Sequence, residues 1–101
     1  MKEALVFEDE AWRIIVPSQT LATIVSTAVE RAGARVRRYP RRSISFDLSG
    51  DGARVLVGIV APSDAVLPAL MTKVQSSVHG TLALMCELDR LSVDVTVEEI
   101  A

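Results

Sequence analysis

A single cysteine, Cys86, stands in 101 residues, so no disulfide can close within the chain and no cysteine cluster can clip a metal. A reducing, intracellular setting is expected. Glycine and proline together come to nine, half of the residues are apolar and a quarter are charged, which excludes a disordered or collagen-like chain. Charge of either sign is not in excess: eleven basic residues against thirteen acids leave −2, too balanced for whole-molecule attraction to nucleic acid or membrane. No apolar run approaches the roughly 18 residues of a membrane span. The N-terminal stretch Met1 to Glu10 holds four acids and one lysine around the short run Ala4 to Phe7, the wrong charge for a signal peptide. Lysine is scarce, two against nine arginines, and with many Ala and Val this points to a GC-rich bacterial genome. What is there is one domain's worth of chain, able to bury roughly two-thirds of its unfolded surface. We read residues 1–11 as an acidic leader and residues 12–101 as a single domain.

The periodicity then sets out the elements. Trp12 to Val16 is short, β-branched and followed by Pro17, which reads as a strand. Ser18 is placed to cap a helix in which Leu21, Ile24, Val25, Ala28, Val29 and Ala32 recur every three or four residues, and Gly33 stands where helices end. Ala34 to Arg42 is an arginine-rich connection broken by Pro40, with an extended first half. From Ser43 the period becomes two: Ile44, Phe46 and Leu48 alternate with Ser43, Ser45, Asp47 and Ser49. Ser49-Gly50-Asp51-Gly52 predicts a tight hairpin into Ala53 to Ala61, apolar at nearly every position after Arg54, so that either both of its faces are covered or it is central in its sheet. A second helix is expected to start between Asp64 and Pro68 and reach about Leu88, with Leu67, Leu70, Met71, Val74, Val78, Thr81, Leu82 and Met85 on one face. Val93, Val95 and Val97 close the chain as a strand whose Ser92, Asp94, Thr96 and Glu98 face the other way. The order strand-helix-strand-strand-helix-strand predicts an α+β two-layer sandwich with both helices on one face of a mixed four-stranded sheet. Its other face is polar and carries no aromatic ring.

Chemistry-bearing groups are few. His79 has no carboxylate at helical spacing, Cys86 has no histidine to activate it, and the glycine pair Gly50 and Gly52 is explained by the hairpin. Asp47, Asp51 and Asp64 are too scattered for a calcium loop. No catalytic residue, cofactor, metal site or small-molecule substrate is expected. One local anomaly remains. Arg31, Arg35, Arg37, Arg38, Arg41 and Arg42 place six of the eleven basic residues in twelve positions without an acid, around Tyr39. Such a run either pairs with the leader or with Glu98 and Glu99, or meets the phosphates of nucleic acid or lipid. Arg35, Arg37, Arg38, Arg41 and Arg42 are the candidate partner-binding residues.

The second half resembles the alkaline shock protein family of bacterial envelope-stress proteins. The likeness is carried by the strand Val55 to Val60, by Leu67-Pro68 opening a helix, by Val74-Gln75, Val78, Leu82 and Met85 down one side, and by Val93-Asp94-Val95-Thr96-Val97. Arg13-Ile14-Ile15-Val16-Pro17 and Leu21 to Val29 match the family's opening more loosely. The chain departs from it in a short, arginine-bearing connection after the first helix and in Ala61-Pro62-Ser63 after the third strand, as a short, divergent member would. The resemblance implies a non-enzymatic cytoplasmic protein that forms homo-oligomers and is held at the inner face of the membrane by a small anchor protein. The residues themselves leave nucleic-acid binding through 31–42 as the alternative.

Overall fold

The computed structural model describes the backbone of residues 4–9, 12–49, 52–86 and 90–101, and the surroundings of side chains 19–47, 52–85 and 90–101. Its elements are β1 (Ala4–Asp9), β2 (Trp12–Pro17), α1 (Ser18–Arg31), β3 (Arg35–Val36), β4 (Ile44–Ser49), β5 (Gly52–Ala61), α2 (Leu67–Cys86) and β6 (Arg90–Ile100).

β5 is the centre of a mixed four-stranded sheet. β4 folds back on it antiparallel, from Ile44 opposite Val57 to Ser49 opposite Gly52. β3 continues the same edge, with Val36 opposite Ile59. On the other edge β6 runs parallel to β5, a pairing that needs a crossover, and α2 supplies it. The hairpin connection at residues 50–51 lies outside the described residues.

Two-residue alternation on β5 sends Val55, Val57, Ile59 and Ala61 to one side, where Phe46, Val36 and Val93 join them. Both helices cover that side. α1 contributes Leu21, Val25, Ala28, Val29 and Ala32, and α2 contributes Leu70, Val74, Val78 and Leu82, to one continuous core. Polar groups at the seams are answered: Ser77 Oγ donates to the Ala28 carbonyl at 2.7 Å, tying α2 to α1, and Gln75 Nε2 donates to the Val93 carbonyl at 2.7 Å, tying α2 to β6. α1 ends in a Schellman arrangement, with the Gly33 N–H on the Glu30 carbonyl and the Ala34 N–H on the Val29 carbonyl. Gly33 has φ +96°, a left-handed backbone that a side chain would strain.

The α+β sandwich with both helices on one face is as the periodicity predicts, but one strand of the sheet is not. Trp12–Pro17 does not join β5; it pairs antiparallel with Ala4–Asp9 as a separate two-stranded sheet, and Arg35–Val36 takes the fourth place. Trp12 finds a partner only three positions away at Asp9, and so short a closure costs little entropy. The apolar run Ala4 to Phe7 is thus strand rather than leader. At the far end of α2 the expected face also runs out: Leu82 is buried, whereas Met85 is 61% exposed. α2 has 20 residues against 14 in α1, so its last turn extends past the packed part of the core. The expected continuation to Leu88 falls outside the described residues.

Candidate functional site

The helix-free face of the sheet is built by the residues that alternate away from the core: Ser45 and Asp47 on β4, Arg54, Leu56, Gly58 and Val60 on β5, and Ser92, Asp94 and Thr96 on β6. Leu56 is 39% exposed there. Arg54 crosses to β6, its guanidinium 2.7 Å from Asp94 Oδ2. So exposed a pair adds little stability.

A break in register shapes the middle of this face. Ile59 lies opposite Val97 but Val60 lies opposite Glu99, so Glu98 is the extra residue of a β-bulge. Its carboxylate is carried over Gly58, where a Cβ would collide with Glu98 and with the Ser43 hydroxyl. The absent side chain leaves the carboxylate its space here. From the opposite edge Arg37, just past β3, donates through Nε to Glu98 Oε1 at 2.9 Å, and the latch so formed reaches across β5 to β6. The hydrogen bond from Ser43 holds the Glu98 carboxyl below its ordinary value, with Arg37 acting in the same direction and burial opposing.

The same contacts close a loop. Arg37 N–H donates to the Gly58 carbonyl, Gly58 N–H to the Ser43 carbonyl and Ser43 N–H to the Arg37 carbonyl, at 2.8–3.0 Å. Residues 38–42 therefore leave and re-enter the sheet at one point beside Gly58, with a cis bond between Tyr39 and Pro40. Arg38, Tyr39, Arg41 and Arg42 are exposed on this loop. Arg41 and Arg42 line a cavity of about 420 Å³ over the sheet, together with Arg37, Ser43, Ser45, Leu56, Gly58, Thr96 and Glu98. Arg42 also borders a second cavity of about 290 Å³, with Arg35, Arg38, Tyr39, Ser26 and Glu30.

The five candidate arginines are therefore brought to one end of the sheet but do different work. Arg37 is engaged by Glu98, whereas Arg35, Arg38, Arg41 and Arg42 have no ion pair among the described residues. Arg31 sits apart in the last turn of α1, where a cation suits the helix dipole. His79 is exposed and shares a shallow cavity of about 480 Å³ with Asp94, Gln75 and Leu91, a neighbour that helical spacing does not reveal. Cys86 ends α2. Among the described residues no group of three or more His, Cys, Asp and Glu is placed to hold a metal ion, and no helix is long and apolar enough to cross a membrane. The pairing of Arg37 with Glu98 realises one of the partners expected for the arginine run. The bulge that aims Glu98 leaves no mark in the alternating sequence, and only Gly58 hints at it. Comparison with protein-family models, with curated proteins and with solved structures finds no match to this chain.

Proposed function

We propose that this chain is a non-enzymatic interaction protein of the bacterial envelope stress response, one that self-associates and docks on a small membrane-anchored partner at the inner face of the cell membrane. The family resemblance motivates the reading. The observation that supports it is a sheet with one face sealed by both helices and the other without a helix, carrying an exposed leucine among charged side chains. Such a face suits reversible contact with another protein, because its charges stay hydrated when no partner is present. The outer edge of β6 offers backbone groups for strand pairing between copies.

Light scattering at rising concentration is expected to give a dimer or larger assembly. In cells, the chain is expected to fractionate with the inner membrane, and Leu56→Glu to release it without loss of fold. A strict monomer that never leaves the soluble fraction sinks the reading. Nucleic-acid binding is the second reading, favoured by Arg35, Arg38, Arg41 and Arg42 standing exposed around Tyr39. It requires retention of RNA or DNA on filters that falls steeply with salt, since each released counterion steepens the slope.

A further inference from the structure

We propose that the cavity beside the 38–42 loop is a binding site for a phosphate monoester with an apolar body, bound and not transformed. The inference stands on the geometry of the loop and does not rest on self-association or membrane docking. Among the described residues its lining holds Arg37, Arg41 and Arg42 against the one carboxylate of Glu98, so three positive charges meet one negative and two remain. A phosphate monoester near neutral pH carries close to two negative charges, which this surplus matches.

The division of labour among the arginines makes a site of the charge. Glu98 is held by Arg37 and Ser43 at the sheet, so its charge is answered before any ligand arrives. Arg41 and Arg42 have no ion pair among the described residues, and guanidinium forks bind phosphate oxygens two at a time. The Ser45 and Thr96 hydroxyls line the same cavity from β4 and β6 and add neutral donors on the sheet side. Gly58 keeps the floor low, and Leu56 offers an apolar wall for the ester group. The loop that carries the two arginines is pinned at its base by backbone hydrogen bonds, which lowers the ordering cost of binding. A volume of about 420 Å³ fits a small ligand rather than a strand of nucleic acid.

Amide NMR with phenyl phosphate and with inorganic phosphate at low ionic strength tests the proposal. Saturable shifts are expected at Ser45, Gly58 and Thr96, with phenyl phosphate binding more tightly than inorganic phosphate and Leu56→Ser removing that preference. Arg42→Gln is expected to weaken phenyl phosphate by about tenfold or more at unchanged melting temperature. Glu98→Gln, which removes the only carboxylate lining it among the described residues, is expected to tighten it. Vesicles of neutral lipid with and without phosphatidic acid separate the sources. Arg42-dependent binding to the acidic vesicles marks a lipid headgroup, and binding of phenyl phosphate alone marks a soluble ester. Absence of saturable shifts overturns the proposal, as does affinity unchanged in the Arg41→Gln, Arg42→Gln double variant. An oligonucleotide with no terminal phosphate that binds more tightly than phenyl phosphate also overturns it, in favour of nucleic acid.

Discussion

Gly58 and Glu98 are a single device made from two residues 40 positions apart in the sequence. The missing side chain at Gly58 admits the carboxylate, and the carboxylate fastens Arg37 and Ser43 across the central strand. Gly58→Ala should push Glu98 aside rather than block folding, because the atoms it meets are at side-chain ends, and a cost of about 1 kcal/mol is expected. A thermal double-mutant cycle with Glu98→Gln should show that the two changes are not additive, since each breaks the same contact. Strict additivity would separate the residues. The direction of the Glu98 shift also sets a pH dependence. A carboxyl depressed in the folded state stabilises the fold above its ordinary value near pH 4.5, and that stability is lost as pH falls toward its lower folded value. Wild type should therefore lose more stability than Glu98→Gln between about pH 5 and pH 3.

Strand register and helix length decide the behaviour of the elements. Val93 points into the core and is 4% exposed, while Thr96 faces outward on the same strand. Val93→Asp should unfold the domain by burying an unpaired charge, and Thr96→Asp should change stability by no more than about 0.5 kcal/mol. Equal circular-dichroism melts for the two would overturn the register. Val95, only partly buried although it faces inward, should give an intermediate loss as Val95→Asp. Gly80 lies within α2 with open space around its Cβ direction. Gly80→Ala is therefore expected to raise stability by roughly 0.5–1 kcal/mol, read as a higher melting temperature. These elements were legible in the chain because their periods are strong: every residue of the α1 stripe from Leu21 to Ala32 is buried or packed on the core. The membership of Trp12–Pro17 was not, because a β-branched run says that it is a strand and not which neighbour it pairs with.

For the whole molecule the sorting of the arginines matters most. Overall charge is nearly balanced, yet the fold gathers Arg35, Arg38, Arg41 and Arg42 at one end of the sheet and uses Arg37 internally. Replacing Arg38, Arg41 and Arg42 together by Ser should leave the melting temperature unchanged, whereas Arg37→Ser alone should lower it by about 4 °C. A matching fall in both would mean that the loop arginines also carry the fold. The helix-free face and the loop cavity adjoin at Leu56, so a ligand in the cavity and a partner on the face would meet there. Binding of one would then bias the other through shared surface.

The two amphipathic helices, the central apolar strand, the β4–β5 hairpin and the polar outward residues of β4 and β6 were written in the chain, because each follows from periods of 3.6 or 2 within a few turns of it. Long-range packing settled that β3 and not β2 joins β5, that Glu98 bulges over Gly58, and that five neighbouring arginines divide between a latch and two cavities. Those outcomes depend on groups far apart along the chain meeting at a few ångströms, and no local pattern records such a meeting.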